Sequence, residues 1–208
     1  MLSVYSSETD SWGNLITILR PPDSMTVFTD IPSALVGNSI CWLVIWGNVG
    51  ILEFDLDRQS LAIIDPPQDA IDLRAFFSGD SQLMIIPADG DGLGFLVLSG
   101  FTAELWKRKV NSDGATGWVL TNTIDLCSLL QLVPWVDPPT LLGLAEDDNA
   151  MLVVTHDDVV FMVHLDSTQF EKLPEKMSYC FCQAFTSFYT AGMVTSDEHD
   201  GVEVVHNA

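Results

Sequence analysis

The sequence predicts an all-β chain, and three features carry the prediction. Apolar residues come in short runs of roughly five to nine, rich in Val, Ile, Leu, Phe and Trp. Gly, Pro, Asp and Asn punctuate those runs, which is the rhythm of strands and turns. Hardly any stretch spaces its apolar residues as a helix does. A length of 208 residues fits one compact domain or a piece of a larger one.

Taken in order, the expected strands begin with Leu15–Leu19 and Met25–Thr29, two short apolar runs. Ser39–Trp46, Gly50–Asp55 and Ser60–Ile64 follow, each bounded by turn residues. Gln82–Ile86, Gly94–Leu98, Thr102–Lys109 and Gly117–Ile124 form the middle group. Leu141–Ala145, Met151–Thr155, Val159–Leu165 and Gln169–Leu173 come next, and Tyr179–Ala184 with Ser187–Thr190 close the series. The single helical exception is Asp125–Leu132, where Asp125 can cap a turn or two carrying Leu126, Leu129 and Leu130.

An internal repeat sharpens the fold. Phe54-Asp55-Leu56-Asp57-Arg58-Gln59-Ser60-Leu61 aligns with Val163-His164-Leu165-Asp166-Ser167-Thr168-Gln169-Phe170 at a shift of 163 − 54 = 109. Glu104-Leu105-Trp106-Lys107 occupies the equivalent of Glu53-Phe54, dividing the shift into 106 − 54 = 52 and 163 − 106 = 57. A period of about 50 with four short strands per unit is the pattern of β-propeller blades, usually 4–8 to a ring. The expected architecture is an incomplete β-propeller of antiparallel four-stranded sheets. Residues 1–208 form one partial domain with three full blades at about 36–80, 81–140 and 141–178, and partial blades at both ends. An open arc leaves its first and last blade faces without partners.

Charge narrows the partners. Eight Lys+Arg against 29 Asp+Glu give a net charge of −21, so phosphate backbones and anionic lipid surfaces are repelled. Nucleic acid and membrane are therefore not expected as partners. The longest apolar run, Ile40–Trp46, falls far short of the roughly 20 residues of a spanning helix. The N-terminal residues resemble neither a signal nor a transit peptide, so cytoplasm or nucleus is the expected compartment. Cys41, Cys127, Cys180 and Cys182 are too scattered for a disulfide framework.

Several phrases resemble one family. Val4-Tyr5-Ser6-Ser7-Glu8-Thr9-Asp10-Ser11-Trp12 is similar to the "VYSSET…W" phrase of the propeller domains associated with plant F-box proteins, particularly the large grass families. Ile51-Leu52-Glu53-Phe54-Asp55-Leu56-Asp57 resembles their "ILEFDL" strand. Glu104-Leu105-Trp106-Lys107-Arg108-Lys109 with Gly117-Trp118 resembles their "LWKRK…GW" blade, and Phe185-Thr186-Ser187-Phe188-Tyr189 their closing segment. The resemblance implies kelch-like blades and a substrate-receptor subunit of a cullin-RING ubiquitin ligase. There an N-terminal F-box docks on the adaptor and the propeller holds a protein target. Here the VYSSET phrase begins at Val4, so the adaptor is an expected partner only if an F-box lies upstream.

The remaining motifs point away from catalysis. Ala88-Asp89-Gly90-Asp91-Gly92 lacks a third oxygen ligand at calcium-loop spacing and reads as an acidic hairpin turn, as does Asn111-Ser112-Asp113-Gly114. Cys180-X-Cys182 lacks the second thiol pair that zinc needs, and His156, His164, His199 and His206 form no metal or catalytic motif. No nucleophile elbow, P-loop or dinucleotide fingerprint is present, and the expectation is no cofactor, no metal, no catalytic residue and no enzymatic activity. Lys107-Arg108-Lys109 is either a salt-bridged strand end or a patch for an acidic segment. The six tryptophans read as core between blades. Partner contacts are expected from rim loops carrying Asp89, Asp91, Asp147, Asp148, Asp157 and Asp158, which favour a basic protein. The alternatives are a propeller glycoside hydrolase or carbohydrate-binding protein, since some propellers use carboxylate pairs, and a truncated product without stable function.

Overall fold

The computed structural model describes residues 2–18, 26–27, 31–45, 48–88, 90, 92–110, 112, 114–133, 135–145, 148–167 and 169–176. The first strands are β1 (Tyr5–Ser6), β2 (Ser11–Trp12), β3 (Thr26–Val27), β4 (Ala34–Val36), β5 (Ser39–Ile45), β6 (Val49–Asp55) and β7 (Ser60–Ile64). A 3-10 turn (Gln68–Ala70) and α1 (Leu73–Ser78) lead to β8 (Ser81–Ala88), β9 (Gly92–Ser99), β10 (Thr102–Val110) and β11 (Thr116–Asp125). After α2 (Leu126–Leu129) come β12 (Thr140–Ala145), β13 (Ala150–Val154), β14 (Val159–His164) and β15 (Phe170–Lys176). The chain is mostly β, in keeping with its pattern of short apolar runs between turn residues.

Three antiparallel meanders follow one another. In the first sheet β5, β6 and β7 are consecutive neighbours while β3 and β4 share the free edge of β5; the second runs β8-β9-β10-β11 and the third β12-β13-β14-β15. The 109-residue repeat reappears as strand register. Phe54 pairs with Leu61 and Glu53 with Ala62 across β6 and β7, just as Val163 pairs with Phe170 and Met162 with Glu171 across β14 and β15. β10 holds the same third place in its sheet that β6 and β14 hold in theirs.

Side-chain alternation along the strands stacks the sheets face to face. Leu83, Ile85, Phe95 and Val97 of the second sheet bury against Cys41, Leu43, Val49 and Ile51 of the first. Their alternating neighbours Met84, Ile86, Leu96 and Leu98 bury against Leu141, Met151, Val153 and Val163 of the third. The middle sheet is therefore apolar on both faces, and each such fully buried side chain contributes about 1.5–3 kcal/mol. Polar straps reinforce the stack. Gln82 Oε1 accepts from the Leu141 N–H at 2.8 Å, and Asn122 Nδ2 donates to the Leu165 carbonyl at 2.7 Å. The first strands meet as well, since β8 lies against β4 and β5 on one side and β12 on the other.

Two expectations change. The outward faces of the flanking sheets are not bare: Val44, Leu52 and Phe54 on the first, and Leu142, Leu152, Val154 and Val160 on the third, are all buried. Helix α1 was not expected. Asp72 caps it by accepting from the Arg74 and Ala75 N–H groups, and Gly79, at φ 86°, ends it in the left-handed conformation. Its six residues are fewer than the roughly 11–18 over which apolar periodicity can be read.

Smaller differences lie at the ends. β4 and the β1–β2 hairpin add strands to the expected series, while Leu15–Leu19 contributes only an Ile16 bridge to Leu2 over its described residues. α2 stops at Leu129 because Leu130 leaves helical geometry and Gln131 follows at φ 56°. The segments Tyr179–Ala184 and Ser187–Thr190 lie outside the described residues. Among the described residues no helix is long and apolar enough to cross a membrane.

Candidate functional site

The third and fourth strands of the second sheet build a concave site, facing the exit of the first sheet. In the β10–β11 register Arg108 stands opposite Trp118, and Val110 opposite Thr116. Trp106 lies two residues before Arg108 on β10. Across from them β7 ends at Ile63 and Ile64 and the chain continues through Asp65-Pro66-Pro67-Gln68-Asp69. These residues enclose a cleft of about 440 Å³, within the usual size range of ligand sites.

Its walls are fixed by hydrogen bonds and by packing, since both indoles are half-buried against the core between the first and second sheets. Trp118 Nε1 donates to the Asp65 carbonyl at 2.7 Å, which ties the two sheets together, and its ring meets Phe95 edge-on at 6.0 Å. Trp106 Nε1 donates to Glu104 Oε2 at 3.1 Å, and an Arg108 guanidinium N–H to Thr116 Oγ1 at 3.3 Å. Pro66 and Pro67 are buried and hold the floor, and their fixed φ keeps the segment from continuing the β7 ladder. Gln68 is held from both ends, accepting from Asn48 Nδ2 at 3.2 Å and donating to the Pro66 carbonyl at 3.3 Å. The cleft thus offers the outer parts of two half-buried indoles, one cation and the residues Asp65 and Asp69. That set suits hydrogen bonding and stacking against a planar or ring-bearing polar group.

Cys41 lies behind this wall on β5. Burial pushes its thiol up to about 12, Glu53 adds to the rise and Arg108 opposes it, so it stays a neutral thiol. It behaves as a small core residue rather than a nucleophile.

The acidic rim expected from the sequence divides. Asp148 lies between β12 and β13, where His164 Nδ1 is 3.2 Å from its carbonyl. Asp157 and Asp158 lie between β13 and β14, at the opposite end of β13, because a meander puts successive turns at alternate ends. Asp89, Asp91 and Asp147 lie outside the described residues, as do Cys180, Cys182, His199 and His206. The Thr155 hydroxyl holds the Asp157 carboxyl below the usual carboxylate range, and burial opposes it. Asp158 adopts φ 59°, the left-handed turn conformation that Asp tolerates.

Sequence reasoning assigned Trp106 and Trp118 to the core, against which both do pack, but missed that they also line the cleft and left Asp65–Asp69 unread. A signal was present. Tryptophans flanking a basic run across one hairpin share a face once Arg108 pairs with Trp118. That register depends on a bulge at Leu105/Trp106, which spacing alone does not disclose. No family model matches the chain, and no curated protein matches it.

Proposed function

We propose that this chain is a protein-interaction module of the kind joined to F-box proteins, a recognition surface without enzymatic activity, and that each sheet is one blade of an incomplete β-propeller. The observation that carries the reading is the repeated unit. Three meanders of like strand order stack face to face, their first strands adjoin, and the 109-residue shift recurs in register. Sheets that bury both faces on neighbours with their first strands innermost are what blades require. The resemblance of the Trp106–Trp118 hairpin to the family's "LWKRK…GW" blade supports it further.

On this reading the cleft beside Arg108 and Trp118 takes a protein target, and the net charge of −21 steers basic partners toward the molecule. A ligase adaptor joins only through an F-box upstream. A saccharide is a second reading, favoured by the two indoles standing beside Arg108, Asp65 and Asp69.

The test is affinity capture from plant extract with the native chain and with Arg108→Glu, which reverses the cleft's cation at a half-buried position. We expect a discrete set of proteins that the variant loses while its thermal transition is kept. Capture unaffected by Arg108→Glu would contradict the cleft. Retention on, or turnover of, oligosaccharides abolished by Arg108→Glu would establish the second reading instead.

A further inference from the structure

The outer edges of the three sheets are equivalent positions, and among the described residues they are guarded differently. β7 is five residues long and runs directly into Asp65-Pro66-Pro67. β15 reads Phe-Glu-Lys-Leu-Pro-Glu-Lys, with charges and a proline along it. These are the devices by which natural sheets prevent edge pairing. β11 has neither. It runs ten residues, carries no charge from Thr116 to Ile124 and no proline, and presents Val119 and Leu120 at 42% and 43% exposure. It is the last strand of its sheet, so among the described residues its outward N–H and C=O groups face no other strand.

We infer that the β11 edge pairs antiparallel with the same edge of a second copy of this chain, making a two-fold dimer with one continuous sheet across it. Charge complementarity selects this occupant. Lys107, Arg108 and Lys109 stand opposite Val119, Trp118 and Gly117 at one end of β11, whereas Glu104 stands opposite Thr123 and exposed Asp125 ends the strand at the other. An antiparallel self-pairing sets the basic end of one copy on the acidic end of the other, twice by symmetry. The one extra residue in β11, Thr121, lies between the pairs Trp106–Leu120 and Leu105–Asn122, near the middle of the edge. Placing the two-fold axis there brings Gly117 opposite Asp125 of the second copy. Gly117 has no side chain, so Lys109 can lie across it to reach that carboxylate, two strand spacings or about 10 Å away between backbones. The uncharged stretch in between has no like charges to oppose pairing. The overall charge of −21 opposes association at long range, and salt screens that repulsion. The inference does not depend on the receptor reading, although Thr116, Gly117, Trp118 and Arg108 belong both to this edge region and to the cleft; its test reads oligomeric state and substitutes Lys109, Val119 and Leu120, which do not line the cleft.

Sedimentation of the full chain over a concentration series at about 0.15 M salt, where the Debye length is about 8 Å, tests it. The expected result is a monomer–dimer equilibrium that Lys109→Glu weakens by about tenfold, since each dimer loses two attractive contacts and gains two repulsive ones. Proline at Val119 or at Leu120 should abolish the dimer. Alternate residues direct their N–H groups to opposite sides, so one of the two substitutions spares the bond to β10 and keeps the fold. A monomer throughout would overturn the inference. So would a dimer unchanged by Lys109→Glu and by whichever proline variant retains the native thermal transition, because association would then use another surface.

Discussion

Gly94 sits under a tight packing constraint. A Cβ built on it would sit 2.7 Å from Ile86 Cγ1 and 3.1 Å from the Ile86 carbonyl oxygen, and Gly94 and Ile86 are register partners between β9 and β8. Ile86 belongs to the core shared with the third sheet, so it has little room to give. Gly94→Ala should destabilise the fold by about 1–3 kcal/mol, the usual cost of overpacking a close-packed interior. A urea titration reads this as a lower midpoint with an unchanged slope. A midpoint equal to that of the native chain would mean that β8 and β9 are not in this register. Composition alone offered Gly94 only as the start of a strand. Its constraint arises from a cross-strand neighbour that no local pattern identifies.

At the scale of elements, the strands were largely legible and the short helices were not. The runs of Val, Ile, Leu and Phe from Ser39 to Leu173 recur as β5 through β15 because each is long enough to show its apolar content between turn residues. α1 escaped because six residues held by Asp72 and Gly79 show their caps more clearly than their periodicity. The site was the least readable part. It forms where β10 and β11 of one sheet meet the Asp65–Asp69 segment leaving another, more than thirty residues away in sequence. Of the acidic residues read as one rim, the described Asp148 and the Asp157–Asp158 pair fall at opposite ends of β13 for a related reason, since successive meander turns alternate ends.

The strap at Gln82 makes the docking of one element on another measurable. Its Oε1 accepts from the N–H of Leu141 in β12, and its Nε2 lies 3.5 Å from the Pro139 carbonyl, at the weak limit of a bond. Gln82→Leu keeps most of the volume but leaves the Leu141 N–H without that acceptor at a partly buried joint. The expected loss is about 1–3 kcal/mol, with faster amide exchange in β12 and unchanged exchange in β5. An equal loss of protection in both strands would mean that the strap does not act between the second and third sheets.

The whole molecule depends on the middle sheet, which forms one wall of both cores and supplies the Trp106–Arg108–Trp118 side of the cleft. A repeat array of this kind gains its stability from interfaces between neighbours as much as from each unit. Native-state hydrogen exchange across the chain measures that dependence directly. The account predicts that the amides of Phe95–Leu98 in β9 exchange only through global unfolding, and that those of Leu43–Ile45 in β5 and Met151–Val153 in β13 open no later than they do. Exchange in β9 through a cheaper opening than in β5 or β13 would contradict it, for then the flanking sheets would fold without the one they are stacked upon.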